Sequence, residues 1–144
     1  IYFDYDPSIP EIYADDEQLI QAVLNLVKNA AQAISECSDC RSDKEKKIII
    51  KTRVKRHYTI GPSFYNLVLQ LDIIDTGPGI ESSILEHIFM PLITGRAMGT
   101  GLGLSIAQSL LSQNKGLIEC KSEPGNTVFT VLLPIVASKA KEII

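Results

Sequence analysis

The stretch Tyr65-Asn66-Leu67-Val68-Leu69-Gln70-Leu71-Asp72-Ile73-Ile74-Asp75-Thr76-Gly77-Pro78-Gly79-Ile80 decides how this chain folds. Leu67, Leu69, Leu71 and Ile73 recur at every second position, so residues 65–75 read as a strand with one aliphatic face, and the same period puts Asp75 on that face. Gly77-Pro78-Gly79 then ends the strand. A carboxylate on an apolar face needs a partner. Two readings are open: an Asp-x-Gly turn in which Asp75 caps its own backbone, or an acceptor-only carboxylate at the back of an apolar slot, suited to an exocyclic amine such as that of adenine. In the second, Gly77 and Gly79 let a ligand approach the backbone closely.

Upstream, residues 47–58 alternate too, with Ile48, Ile50, Thr52 and Val54 on one face and Lys51, Arg53 and Lys55 on the other. Gly61-Pro62 joins the two strands as an antiparallel hairpin. Further upstream, Leu19, Val23, Leu26, Val27, Ala30 and Ile34 follow helical spacing, and Asp15 with Gln18 resembles a capping box, which predicts a helix over residues 15–35. Ile1-Tyr2-Phe3 is strand-like. Downstream, residues 77–101 hold five Gly and two Pro, too many breakers for a long element, and read as a functional loop or lid. Leu104, Ala107, Leu110 and Leu111 restore helical spacing up to Gly116 as a C-cap. Strands at residues 117–121 and 127–133 flank the turn Glu123-Pro124-Gly125-Asn126, Pro134 stops the second, and residues 138–144 form a charged tail. This order predicts an α/β (α+β) two-layer sandwich, a mixed and mostly antiparallel sheet with helices on one face. A doubly wound fold is excluded, because the strands are joined by hairpins rather than helical crossovers.

Composition narrows the function classes. The 144 residues, 45% hydrophobic and 22% charged, suit one globular domain. Fourteen Lys and Arg against seventeen Asp and Glu leave a net charge of −3, so no global positive field gathers nucleic acid or an anionic membrane, and phosphate binding has to be local. No apolar run approaches the roughly 20 residues of a membrane span. Beginning in a strand without a methionine, the chain reads as a piece of a longer protein. Cys37 and Cys40 form a lone C-x-x-C without its second half, Cys120 stands alone, and His57 and His87 lack ligand spacing. That pattern reads as reduced thiols in a reducing cytoplasm rather than zinc.

Three constellations carry chemistry. Gln21, Asn25, Lys28, Asn29 and Gln32 cluster opposite the apolar stripe of the first helix. This is either a solvated face or a cation site, and two Asn four residues apart cost helix propensity while offering amide oxygens to a hard cation. Asp75 with Gly77 and Gly79 is the second. In the third, Gly99-Thr100-Gly101-Leu102-Gly103-Leu104 opens a helix with backbone N–H groups and a dipole that favour phosphate, although it matches neither a Walker loop nor a Rossmann fingerprint. Thr94-Gly95-Arg96 adds a forked cation nearby. Together they read as one ATP site.

In this combination the chain resembles the catalytic ATP-binding domain of bacterial sensor histidine kinases, of the GHKL superfamily shared with DNA gyrase, Hsp90 and MutL, across about residues 1–134. Asn25-Leu26-Val27-Lys28-Asn29-Ala30 is similar to the N box, Asp75-Thr76-Gly77-Pro78-Gly79-Ile80 to the G1 box, Ile88-Phe89-Met90-Pro91-Leu92 to the F box and Gly99 through Leu104 to the G2 box. Asp4 through Pro10, Arg96 and the hairpin around His57–Tyr65 are similar to the nitrogen-regulation kinases. The resemblance implies a Bergerat fold with about three helices on one face, residues 135–144 forming a tail. It implies that Asn29 ligates Mg²⁺ and that Asn25 and Lys28 contact phosphates. Asp75 would bind the adenine amine, with Gly77, Gly79 and Ile80 shaping the pocket and Thr127 supporting the base through water. Residues 88–99 would form a lid, Thr100, Gly101, Leu102 and Gly103 would hold phosphate, and Arg96 would touch the terminal phosphate.

The same resemblance implies a cytoplasmic protein-histidine kinase whose acceptor histidine lies on a separate dimerisation domain, with an NtrC-like response regulator and a PII-type signal protein as partners. The fragment is expected to be monomeric and to touch neither nucleic acid nor membrane. Asn25 stands where the superfamily's ATPases place a general-base glutamate; an amide takes no proton, and neutral imidazole, with a pKa of about 6.5, needs no such base. A GHKL-type ATPase and a non-catalytic nucleotide-binding module are the alternatives.

Overall fold

The computed structural model describes residues 1–35, 46–90 and 103–135. Its elements are β1 (Tyr2–Asp4), α1 (Asp16–Ser35), β2 (Ile48–Ile60), β3 (Ser63–Asp75), α2 (Ser82–Leu85), α3 (Gly103–Gln113), β4 (Leu117–Glu123) and β5 (Asn126–Pro134). The strands form one five-stranded sheet in the order β1-β2-β3-β5-β4. Only β1 runs parallel to its neighbour, and α1 supplies the crossover that a parallel pair requires. The mixed, mostly antiparallel sheet with helices on one face is the architecture that the hydrophobic periods imply.

Register across the sheet sorts the core into rows. Ile118, Val131, Leu71 and Thr52 stand abreast on β4, β5, β3 and β2, followed by Cys120, Phe129, Ile73 and Ile50, and then, at the end of the sheet, by Ser122, Thr127, Asp75 and Ile48. Two rows dominated by apolar side chains thus lead to a row in which three of four side chains are polar. α1 and α3 cover the aliphatic rows. Leu26 and Ala30 of the expected stripe are fully buried, but Ala22 and Ala33 join them at its centre while Leu19, Val23, Val27 and Ile34 pack along its margins. Small residues at the centre let the helix approach the sheet closely.

α1 and α3 are also pinned to each other. Asp15 Oδ1 accepts from Gln18 N–H at 3.1 Å, one arm of the expected capping box. The return arm comes from α3 instead: Asn114 Oδ1 accepts from Asp15 N–H at 3.0 Å, and the Gln18 amide is engaged with Gln113 and Asn114. At the C-terminus of α3, Lys115 rather than Gly116 takes the left-handed conformation, at φ 61°. Gly116 N–H reaches Leu111 O at 2.8 Å and Lys115 N–H reaches Ser112 O at 3.0 Å, the paired bonds of a Schellman ending. Gly116 is required for a different reason, since a Cβ there would lie 2.8 Å from Leu132 O.

Among the described residues, no helix covers the opposite face of the sheet. The β2–β3 hairpin, longer than its alternation suggests, bends at His57 (φ 53°), and Ile60, Tyr58 and Tyr65 pack with Val68 and Leu132. Asp72, on this face, is held by Thr130 Oγ1 at 2.7 Å and Gln70 Nε2 at 2.9 Å. Within the stretch read as a loop, residues 82–85 form the short α2, and Ile88 and Phe89 enter the core, with Phe89 meeting Phe129 edge-on at 6.3 Å. The start of the expected lid is therefore anchored. Arg96, Thr100, Gly101, Leu102, Cys37, Cys40 and the tail from residue 136 lie outside the described residues. No helix among the described residues is long and apolar enough to cross a membrane.

Candidate functional site

The period of β3 delivers Asp75 to the core face at the strand end, where it is 1% exposed. Its Oδ1 accepts from Gly77 N–H at 2.9 Å, so the turn reading holds for this oxygen. Its second oxygen, Oδ2, is equally buried. The turn reading thus accounts for one of the two carboxylate oxygens.

The glycines are required by close approach. A Cβ on Gly77 would stand 2.8 Å from Asp75 Oδ1 and 3.2 Å from the Ala33 side chain of α1, while Gly79, at φ 88°, would push a Cβ to 2.9 Å from Glu123 O. The β4–β5 turn lies against this loop, and Gly125 N–H donates to Gly77 O at 2.9 Å. Ile80 follows, its side chain packed on the core and its N–H donated to Ser122 Oγ at 2.8 Å. Ser122 Oγ lies 2.7 Å from Thr127 Oγ1, and Thr127, 3% exposed, is the cross-strand neighbour of Asp75. Asp75, Gly77, Gly79, Ile80 and Thr127 therefore form one group.

α1 links this group to the amide-rich face. Ala33 rests against Gly77, and Asn29, half-buried, lies one helical turn before Ala33 on the same side. Asn25, a further turn back, donates from Nδ2 to Gly103 O at 3.2 Å and accepts at Oδ1 from Gln21 Nε2 at 2.9 Å. Its amide thus ties α1 to the first residue of α3. Lys28 is exposed on the same helix. Gly103 has nothing described within 4 Å of a Cβ position, so among the described residues packing does not call for glycine there.

One residue bonded into the group escapes sequence reasoning. Ser122 sits in Lys121-Ser122-Glu123, which reads as a solvent-facing hairpin end, and only the register across three strands brings it to Asp75. The half-buried Cys120 lies one row below the polar row, where burial first and the Asp75 charge second push its thiol up to about 12. Burial thus disfavours the thiolate, the form in which a cysteine attacks or ligates a metal. A separate hollow of about 350 Å³, lined by Asp72, Gln70 and Lys121 among others, lies on the helix-free face, across the sheet from Asp75.

Comparison with known proteins identifies the family. Residues 14–137 match the family of histidine kinase-, DNA gyrase B-, and HSP90-like ATPases. The sensory histidine kinase/phosphatase NtrB of Vibrio alginolyticus is 44% identical over 133 residues, which are 92% of this chain and 36% of that protein. NtrB of Rhizobium leguminosarum is 38% identical over 132 residues, 90% of this chain and 33% of that one. The chain thus spans about a third of the length of the curated relatives it matches. The catalytic domain of histidine kinase ThkA superposes with a TM-score of 0.68 at 28% identity, covering 92% of this chain and 76% of that one. The chain belongs to the histidine kinase-, DNA gyrase B-, and HSP90-like ATPase family, as a domain with the histidine kinase catalytic fold.

Proposed function

We propose that this chain is the catalytic domain of a cytoplasmic two-component sensor kinase of nitrogen regulation, binding MgATP and passing its γ-phosphate to a histidine on a separate dimerisation domain. The observation that carries the reading is Asp75, buried at the end of an aliphatic face with one oxygen committed to Gly77 N–H. A carboxylate only accepts, so the slot suits a base with an exocyclic amine. The glycine at 77 suits the fit, because a side chain there would crowd Asp75, while Gly79 lets the loop lie close against Glu123. Residues 1–134 would form this domain and residues 135–144 a tail.

In this reading Thr127 supports the base, and Asn25, Lys28, Thr100, Gly101, Leu102, Gly103 and Arg96 attend the phosphates. Asn29 offers an amide oxygen of the kind a hard cation accepts, and bound Mg²⁺ supplies charge neutralisation on the transferring phosphate. Asn25 removes no proton, so the chain positions rather than deprotonates, which suits an imidazole acceptor. The likeness to NtrB supports a response regulator, NtrC-like in this reading, as the receiver of the phosphate, and the reading extends to a PII-type protein as a signal partner and a monomeric fragment without nucleic-acid or membrane contact.

The test is an ADP titration with and without Mg²⁺, repeated on Asp75→Asn. Binding strengthened by Mg²⁺ is expected. In Asp75→Asn, the amide has to place its NH₂ against either the Gly77 N–H or the base amine, which predicts a loss of about tenfold to a hundredfold. Absence of binding into the millimolar range overturns the ATP reading. Mixing the chain with a histidine-bearing helical domain and labelled ATP should label that domain. Steady hydrolysis by the chain alone, abolished by Asn29→Asp, would instead favour an ATPase, and binding with no label a nucleotide-binding module.

A further inference from the structure

Ser122, Thr127, Asp75 and Ile48 stand side by side at the end of the sheet, and two of them are hydroxyls 2.7 Å apart. A hydroxyl has one proton and two lone pairs, so the direction in which such a pair donates decides what it offers to its surroundings. Ser122 Oγ receives the Ile80 N–H at 2.8 Å. Its own proton has an acceptor at hand in Thr127 Oγ1. With that proton delivered, Thr127 keeps its own for the side away from Ser122, where its cross-strand neighbour is Asp75.

We propose that Ser122 is a specificity-determining positioning residue: it orients the relay from Ile80 N–H through Ser122 to Thr127, so that Thr127 presents a donor beside the Asp75 acceptor. A donor next to an acceptor matches the N1 lone pair and the N6 amine of adenine, which are adjacent on one edge, and opposes the N1–H and O6 of guanine and hypoxanthine at both points. The reverse direction, Thr127 donating to Ser122, would turn a lone pair to the slot and remove that opposition at N1. Thr127 meets N1 directly or through one water. This inference rests on the reading that the slot takes adenine. Ser122 is not needed to hold the loop, because Gly125 N–H to Gly77 O and the close approach of Gly79 to Glu123 clamp the same hairpin to it independently.

The experiment compares binding of ADP and 1-deaza-ADP, which carries C–H in place of N1, to the wild-type chain and to Ser122→Ala, Thr127→Val and the double variant. The wild type should prefer ADP by about tenfold, the scale of one hydrogen bond. In each single variant the preference should fall to within about twofold of unity, the double should fall no further, and Ser122→Thr should restore it. A merely structural role for Ser122 would weaken both ligands equally and leave the ratio in place. A wild-type ratio in Ser122→Ala, additive losses in the double variant, or no preference in the wild type overturns the proposal while ADP binding stands. If Ser122→Ala does not fold, Ser122→Gly is read by the same ratio in its place. No ADP binding to the wild type overturns the nucleotide reading itself, and this inference with it.

Discussion

Cys120 shows what one row of a sheet does to a neighbouring side chain. Half-buried below Thr127 and Asp75, it holds its proton to about 12 against an ordinary 9.0. The folded state therefore binds a proton that the unfolded chain releases above about pH 9, and by linkage stability declines as pH rises from about 9 toward 12. Chemical unfolding of the wild type and Cys120→Ala at pH 7 and pH 10 should show the wild type losing more of its advantage at pH 10. Equal losses would mean that the thiol does not contribute. Asp75 was legible from sequence because period two needs only its own strand. Ser122 was not, because its place depends on two register relations that no local pattern carries.

At the scale of elements, the helix pair is held at its base by polar side chains rather than by apolar area alone. Asn114 serves three groups: it accepts from Asp15 N–H and donates to Gln18 Oε1 and to Leu110 O, the last two at 2.9 Å. Asn114→Ala removes the cap of one helix and a brace of the other, and should cost about 1–2 kcal/mol in denaturant unfolding. A change within about 0.3 kcal/mol would show that water replaces these bonds. The limits of α1 and the alternation of β2 were readable because repeats of 3.6 and 2 persist over many residues. The return arm of the capping box was not, since its donor and acceptor are 99 positions apart in sequence. The left-handed Lys115 escaped for a related reason: glycine signals the end of a helix, but a contact with Leu132 claims the glycine for the next position.

At the scale of the molecule, the candidate site touches both layers, with Asp75 and Thr127 from the sheet and Asn25 and Asn29 from α1. A ligand bound there holds the layers together and should stabilise the whole cooperative unit. At ADP a hundredfold above Kd this amounts to about 2.7 kcal/mol, or a rise in Tm of roughly 5–11 °C for a chain of this size. Differential scanning fluorimetry checks it, and the shift should continue to grow with the logarithm of ADP concentration. The two layers and the close-packed Gly77–Gly79 turn were legible. The hairpin overhang on the helix-free face was not, because the bend at His57 leaves the alternation of residue types unbroken.

The β4–β5 connection is only Pro124-Gly125, with Glu123 facing Asn126. One residue inserted there would slide β4 by a step and turn its side chains over. The backbone ladder could re-form, yet Lys121 or Glu123 would stand where Ser122 had been, and Glu119 or Lys121 would replace Cys120 in the apolar row beside Phe129. The length of this turn is therefore set by the polar row and by the core together. A lineage in which it drifted would lose both at once.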